Sequence, residues 1–315
     1  MSTNAAVATS GIATVDRREG RAHHLQLVCG YVLAVALIAG LAVYGFDYYT
    51  LSSVDRPFSP KHAMLKPSGK IGVKLGFLGV AMFFAIFLYP LRKRWAWLSR
   101  QGSSRHWLDF HVLLGLSAPF VIAFHSAWKF HGFAGIAFWI MLAVSLSGVV
   151  GRYLYAQIPR NLNAAEISLK ELQELRDRFT RELVEQRLLP QADLNTLLRL
   201  PSAERVNQLP LAVALVYMMV LDVTRVFRVA ALRRKTLGLG EILSTLGGLR
   251  ATGHRSVEQA ISTARDEATL SKRILFLSRS QQVFHLWHVV HKPFSYTFAV
   301  LALAHIVVVG MMGYL

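Results

Sequence analysis

The chain has 315 residues, 53% of them hydrophobic, and a formal net charge of +17 from 35 basic and 18 acidic residues. With a mean hydropathy of +0.38, this composition is typical of an integral membrane protein. The single cysteine, Cys29, excludes an internal disulfide framework and a cysteine-ligated iron–sulfur cluster. Much of the basic charge flanks apolar segments, where anionic lipid explains it, so we expect no nucleic-acid partner.

Five apolar segments are long enough to cross a bilayer as helices, which takes about 20 residues. They run from about Leu27 to Phe46, Val73 to Leu91, Trp107 to Trp128, Phe133 to Tyr155 and Trp287 to Tyr314. The predicted fold class is therefore all-α, a polytopic membrane helix bundle with a helical cytoplasmic insert. We divide the chain into a disordered cytoplasmic tail (1–22), spans one to four (23–156), the insert (157–282) and span five (283–315).

The distribution of basic residues predicts the orientation. The loop between spans two and three contains no acid and five basic residues, namely Arg92, Lys93, Arg94, Arg100 and Arg105, whereas the loop between spans three and four carries only Lys129. Basic loops remain on the cytoplasmic side. We therefore expect a multi-pass protein of the inner (cytoplasmic) membrane, with the N-terminus and the insert in the cytoplasm.

The spacing of apolar residues in the insert predicts helices. The insert is also basic, with twenty basic and thirteen acidic residues between Arg152 and Gln282. Residues 164–189 have the spacing of an amphipathic helix exposed to water. Leu211 to Leu221 is an apolar run of eleven, too short to cross, and we interpret it as a helix packed against the bundle or lying in the membrane interface. The alternative is that it crosses, which would reverse the last span. The glycine-rich residues 238–253 predict a connector.

Two pairs of histidines lie inside predicted spans at the same interval. His111 and His125 are fourteen residues apart, as are His291 and His305. Fourteen helical residues turn through about 1,400°, within about 40° of four whole turns, so each pair occupies nearly one face with about 21 Å between its members along the axis. Imidazole is an axial ligand of haem iron, and helix bundles build such sites from residues that project inward.

If spans three and five run in the same direction, the four histidines form two level pairs. We predict one haem b between His111 and His291 near the cytoplasmic face, and a second between His125 and His305 near the opposite face. Arg152, at the cytoplasmic end of span four, could hold a propionate or reach a lipid phosphate. Gly115 would let a flat macrocycle approach the backbone.

Other polar residues receive weaker assignments. Lys129 and His131 could hold propionates at the second haem. The remaining histidines are interpreted as surface residues or a proton route (His106, His285 and His288) or as loop residues (His23, His24, His62 and His254).

This arrangement of histidines resembles the membrane di-haem cytochromes b, which include respiratory cytochrome b and the transmembrane domains of ferric reductases and NADPH oxidases. The resemblance covers roughly Leu27 to Tyr155 and Trp287 to Leu315, and its specific part is the repeated interval between His111 and His125 and between His291 and His305. It implies two haems that conduct electrons across the membrane, and the cytochrome b likeness implies quinone as a further ligand. The long insert between spans four and five departs from those families.

The leading hypothesis is a di-haem b cytochrome that carries electrons between a cytoplasmic or quinone-level partner and an acceptor on the opposite face. It would serve as an electron-transfer subunit of an oxidoreductase complex, with no catalytic residue of its own, and would need redox protein partners or other subunits besides lipid. The alternatives are a haem-bearing redox sensor or assembly subunit, and a haem-free transporter in which the histidines relay protons.

Overall fold

The computed structural model describes residues 3–158, 174, 177, 200–236 and 255–313. Every regular element in these residues is helical, which confirms the predicted all-α class. The long helices are α1 (Thr3–Tyr49), α2 (Lys70–Arg92), α3 (Ser104–His125), α4 (Gly132–Gln157), α5 (Leu211–Thr236) and α6 (Arg255–Met311). Short helical segments lie at Arg56–Phe58, His62–Leu65, Ala96–Ser99 and Ala203–Gln208.

Five segments of the described helices are long and apolar enough to cross a membrane. They are Arg21–Tyr49, His62–Arg92, Ser104–His125, Gly132–Gln157 and Ile261–Met311. Each contains all or most of one predicted span, so the chain is a multi-pass membrane protein whose apolar helices suit contact with lipid. Helix α5 is outside this set, because Asp222, Arg225 and Arg228 interrupt its apolar sequence.

Helix α1 begins at Thr3, in the segment for which the sequence predicts a disordered tail. Lengthening an existing helix costs less free energy than nucleating a new one. The residues before the span include alanine, glutamate and arginine, which favour helix. The helical backbone therefore continues from the first span toward the N-terminus.

Two predicted features of the insert lie outside the described residues. These are the amphipathic helix at 164–189, of which only Glu174 and Asp177 are described, both helical, and the glycine-rich connector at 238–253. The final two residues, 314 and 315, are outside them as well.

The chain forms two compact units. The first comprises Met1–Val150 with Val290–Leu315, and the second comprises Gly151–Val289. All four predicted ligand histidines belong to the first unit.

Helix α3 has the largest buried share among the candidate spans of the first unit, 44% of its apolar window. It packs along α2, and Gly30 of α1 lies against the Leu113 side chain. The apolar core joins α2, α3 and α4, and Phe298 of α6 packs against it. The buried residues of this core are Leu75, Met82, Ala118, Val121, Ala123, Phe124, Phe138 and Met141.

In the second unit, α5 and α6 lie side by side in opposite directions. Met218 contacts Ser280, Arg225 bonds Thr269, and Arg233 bonds Glu258, so residue numbers rise along one helix as they fall along the other. The apolar contact is made by Ala214, Met218 and Leu221 with Phe276.

A buried ionic cluster also holds the second unit together. Lys272 is 1% exposed, and its Nζ lies 2.6 Å from both carboxylate oxygens of Asp222. The Tyr153 hydroxyl donates to Asp222 at 2.7 Å, and Arg225 lies 3.7 Å from the same carboxylate. Desolvation has the largest effect on Arg225 and lowers its pKa, whereas the negative charge of the neighbouring Asp222 raises it. This cluster places the charges of α5 toward α6.

Candidate functional site

The histidines of α3 are held by a helix with defined ends. The Ser103 hydroxyl caps the start by accepting from the backbone N–H of His106, and the helix ends at His125 itself. Beyond this end, Ala127 and Trp128 have φ values of 49° and 60°, a left-handed conformation that is costly for residues other than glycine. Buried Arg56 fixes that turn by donating to the Ala127 carbonyl at 2.6 Å.

His111 is bound to the neighbouring helix α2. Its Nδ1 lies 3.0 Å from the carbonyl oxygen of Ile86. In a regular helix this carbonyl would accept from the backbone N–H of residue 90, but residue 90 is proline, which has none. Pro90 thus frees the acceptor that His111 uses. Because a carbonyl only accepts, we assign the proton of His111 to Nδ1.

His125 makes the same kind of bond at the other end of α2. Its Nδ1 lies 2.8 Å from the carbonyl oxygen of Gly72, so its proton is again assigned to Nδ1. The two acceptors, Gly72 and Ile86, are fourteen residues apart, as are the two histidines. Because α2 and α3 are antiparallel, the same bond between a histidine Nδ1 and a backbone carbonyl forms near each end of the two helices.

Gly76 makes room for the His125 ring. A Cβ built on Gly76 would lie 2.9 Å from Cε1 and 3.1 Å from Nδ1 of the imidazole, closer than side chains normally approach. Only glycine at this position leaves the ring where it can bond the Gly72 carbonyl.

His291 is held by α4 through a side chain. The Ser147 hydroxyl lies 2.8 Å from the Val144 carbonyl oxygen and 2.7 Å from Nδ1 of His291, so it links this ring to the backbone of α4. Ser295, one turn later on α6, donates to the backbone carbonyl of His291 at 2.7 Å.

Electrostatic interactions connect residues of α3 and of the end of α2 with residues of α6. His125 and His305 are close enough to interact electrostatically. At the other end, Lys93 interacts with both His111 and Lys292, and Lys292 is next to His291 in the chain. These interactions bring His305 near its predicted partner His125, whereas the pairing of His111 with His291 stays a prediction. All four histidines are half-buried.

No family model, curated protein or solved structure matches this chain.

The residues present fit bis-histidine haem ligation. A proton fixed on Nδ1 places the lone pair of the imidazole on Nε2, and metal-bound histidines almost always donate their other N–H to an acceptor in this way. Among the described residues no cluster of three or more histidine, cysteine, aspartate or glutamate side chains could hold a metal ion. A haem iron with two axial imidazoles requires only two protein ligands.

Lys93 provides positive charge near His111, and Lys292 lies close enough to Lys93 to repel it. Lys93 lies at the end of α2 with its Nζ 5.1 Å from the centre of the Tyr89 ring, and that ring is 5.1 Å from the His111 ring. Desolvation and, second, repulsion by Lys292 lower the pKa of Lys93. Two amines that repel each other could bind a carboxylate such as a haem propionate.

The other predicted contacts of the haems have varied positions. A Cβ on Gly115 would meet nothing within 4 Å, so this face of α3 is open as a macrocycle would require, and the Gly115 carbonyl accepts from the Ser145 hydroxyl. Arg152 is half-buried in the second unit, and its contact with a propionate stays a prediction. Lys129 and His131 are exposed after α3.

Sequence reasoning missed a polar cluster beside His111. His23, which the sequence analysis placed in a loop, is buried on α1 with its Nε2 3.1 Å from the carboxylate of buried Asp109. The His106 ring stacks on His23 with 3.6 Å between ring centres. The available signal was Asp109, the one acid in the third predicted span, because a carboxylate in such a segment needs a polar partner.

Proposed function

We propose that this chain is an integral membrane cytochrome of the b type that binds two haems and carries single electrons across the membrane. The observation that supports this most strongly is the hydrogen bonding of two predicted ligands, His111 and His125, each of which donates from Nδ1 to a backbone carbonyl and so has its lone pair on Nε2. The resemblance to di-haem cytochromes b and the repeated interval of fourteen residues point to the same chemistry.

The proposed pairs are His111 with His291 and His125 with His305. Bound haem would supply one-electron chemistry. The chain would contribute the axial imidazoles, hold them through backbone carbonyls and a serine, and exclude water with the apolar core of α2, α3 and α4. Lys93 and Lys292 would bind propionates at the first pair, and Gly115 would leave space for a macrocycle.

The same hydrogen bonds argue against a haem-free proton relay. A relay needs groups that both accept and release protons, whereas His111 and His125 donate to backbone carbonyls, which do not pass a proton on. The basic loop between α2 and α3 favours a cytoplasmic N-terminus in the inner membrane, with His111 and His291 on the cytoplasmic side. Electron donors and acceptors would be a quinone or separate redox proteins.

The test is haem quantitation on the purified protein and its histidine variants. The protein should contain about two haems per chain and show a sharp α band after reduction with dithionite, and replacing any one of the four histidines should remove one haem. His111→Gln is more informative than His111→Ala, because the glutamine amide keeps an N–H that can bond the Ile86 carbonyl. His24→Ala, on the exposed side of α1, is the matched control.

Absence of a Soret band from protein produced with sufficient haem would refute the proposal, as would two unchanged haems in all four variants. In sealed vesicles, the reduced haems should be oxidised by an impermeant acceptor outside. Haems that bind but do not respond to that acceptor would favour the sensor alternative.

A further inference from the structure

One end of the first unit is closed by a cap. The cap consists of residues 50–69, which connect α1 to α2, and residues 126–131, which connect α3 to α4. Buried Arg56 joins the two connections by donating to the carbonyls of Leu51 and Ala127. The buried core beneath them is formed by Tyr48, Leu65 and Ala127, each 0% exposed. The surface of the cap is therefore preorganised.

The cap holds Trp128 in a strained backbone conformation. At the end of α3, the N–H of Trp128 donates to the Ala123 carbonyl at 2.9 Å, and the N–H of Ala127 donates to the Phe124 carbonyl at 3.1 Å. Glycine usually occupies the position of Ala127 in this motif, whereas here the alanine belongs to the buried core. Trp128, with a φ of 60°, is left-handed as well. Strained residues persist only where the surrounding structure fixes them, and they cluster at functional sites.

The cap and the helix ends beside it are rich in lysine. Residues 47–74 and 126–132 contain six basic and two acidic residues. Both acids are engaged by neighbours, in the pairs Asp47 with Lys61 and Asp55 with Ser52. Arg56 is buried. The basic residues that have no carboxylate partner in the described part of the chain are Lys66, Lys70, Lys74 and Lys129.

The position of these lysines is unfavourable for the fold itself. Lys70 is the first residue of α2, whose first turn contains no acid. Because the N-terminus of a helix carries partial positive charge, a cation there lowers the stability of the helix. Residues 75–91 of α2 contain no charge, so the lysines of α2 lie at the water end of this candidate span. Positive charge that is retained in such a position points to a role outside the fold.

The cap also exposes apolar side chains. Val54 and Phe58, on either side of Arg56 in the chain, are 76% and 86% exposed, and Trp128 is 46% exposed. Interfaces between proteins combine apolar and aromatic contacts with a polar or charged rim. We define the cap surface as Val54, Phe58, Lys66, Lys70, Trp128 and Lys129.

We propose that the cap surface docks a soluble electron carrier whose own surface is acidic, and that this carrier exchanges one electron with the haem of His125 and His305. This docking rests on the proposed function, in which the haem is oxidised as the carrier is reduced, or the reverse. Trp128 follows His125 by three residues, and its ring is 5.6 Å from that of Phe124, the residue before His125. A carrier on the cap therefore lies close to that haem. Opposite charges accelerate such encounters, and electron-transfer complexes use small interfaces.

The experiment uses vesicles in which only the cap faces outward. The full-length chain with Cys29→Ser and Gln101→Cys is reconstituted in phosphatidylcholine, which carries no net charge. Gln101 is exposed at the opposite end of α2 and α3. Vesicles that expose position 101 are biotinylated by a reagent that does not cross lipid and are removed on streptavidin. Succinylated cytochrome c is the acidic probe, and unmodified cytochrome c, with the same haem and a basic surface, is its match.

We expect the acidic probe to co-sediment with these vesicles several-fold more tightly than the basic probe at low ionic strength. The difference should disappear in high salt, because exposed charges are screened. Lys66→Glu combined with Lys70→Glu should remove the preference, and a glutamate at the start of α2 does not endanger the helix. Arg100→Glu is the matched control, because Arg100 is exposed at the opposite end, inside these vesicles, and should change nothing.

Equal co-sedimentation of the two probes would overturn the proposal, as would a preference that survives the double lysine variant. A fluorophore on Phe58→Cys that is protected from aqueous iodide before any probe is added would also overturn it, because lipid would then cover the cap. Co-sedimentation does not depend on haem. Vesicles without haem would refute the two-haem function, whereas two reduced haems that are oxidised equally fast by both probes would refute only the docking surface.

Discussion

The close approach of Gly76 to His125 predicts that a single methyl group can weaken one haem site. Gly76→Ala would place a Cβ 2.9 Å from Cε1 of the imidazole. Carbon atoms prefer a separation of about 3.5–4.0 Å. The ring would have to move by roughly 0.6–1.1 Å to restore that separation, because the backbone of α2 is fixed by its packing on α3.

Such a movement is large enough to break the bond that orients the ligand. The distance from Nδ1 of His125 to the Gly72 carbonyl is 2.8 Å, and N–H···O bonds weaken beyond about 3.2 Å. Loss of a partner that orients a metal ligand costs about 10–100-fold in affinity, or about 1.4–2.7 kcal/mol. We therefore expect haem at the His125/His305 pair to dissociate about 10–100-fold faster, with the other pair unchanged.

The assay is transfer of haem to excess apomyoglobin, followed by absorbance. The wild type should lose its two haems slowly, whereas Gly76→Ala should show one fast phase that corresponds to half of the haem. The matched control is Gly40→Ala on α1, since a Cβ there would meet nothing within 4 Å. If Gly76→Ala released both haems at the wild-type rate, the proposed coupling between this contact and the ligand would be wrong.

Three further predictions concern hydrogen bonds and ion pairs. Pro90→Ala supplies a backbone N–H that competes with His111 for the Ile86 carbonyl, so the imidazole should donate less electron density to the haem iron. The reduction potential of that haem should then rise by tens of millivolts in a redox titration. An unchanged potential would count against this hydrogen bond. Ser147→Ala removes the hydroxyl that holds the His291 ring and should broaden the α band of the His111/His291 haem. Ser147→Thr keeps a hydroxyl at this position and should restore the sharp band. Asp222→Ala leaves Lys272 buried without its carboxylate and should cost about 3–5 kcal/mol, seen as a lower midpoint of thermal unfolding. The double variant with Lys272→Met should recover most of that loss, and no recovery would show that the pair is not the cause.

The spans and the histidine register could be predicted because both depend on local pattern. The length of an apolar segment determines whether it can cross the bilayer, and the interval between His111 and His125 determines that they share a face. Neither property requires knowledge of the neighbouring helix. The prediction of fold class was confirmed for this reason.

The bonds that orient the histidines could not be predicted, because they depend on how α2 and α4 align with α3 and α6. Ile86 and Gly72 lie 25 and 53 residues from the histidines they bond, and Ser147 lies 144 residues from His291. The only local indication of such a bond was Pro90 in the second predicted span, since a proline leaves the carbonyl four residues earlier, here that of Ile86, without its helical N–H partner.

The extent of α5 was also beyond sequence reasoning. An apolar run of eleven residues was predicted, but the helix has 26, because its charged residues are stabilised by α6. Asp222 finds Lys272 fifty residues later and Arg225 finds Thr269. A single sequence shows the charges and not the partners that make them compatible with a buried face.

The prolines of α2 and α3 have a consequence for how the protein enters the bilayer during synthesis. A carbonyl deprived of its N–H partner costs several kcal/mol in hydrocarbon. The Ile86 carbonyl is satisfied by His111, and the Gly115 carbonyl, freed by Pro119, is satisfied by Ser145 of α4. Each of these helices therefore depends on the one translated after it, so the segments should leave the insertion machinery for lipid as a group of three rather than one at a time.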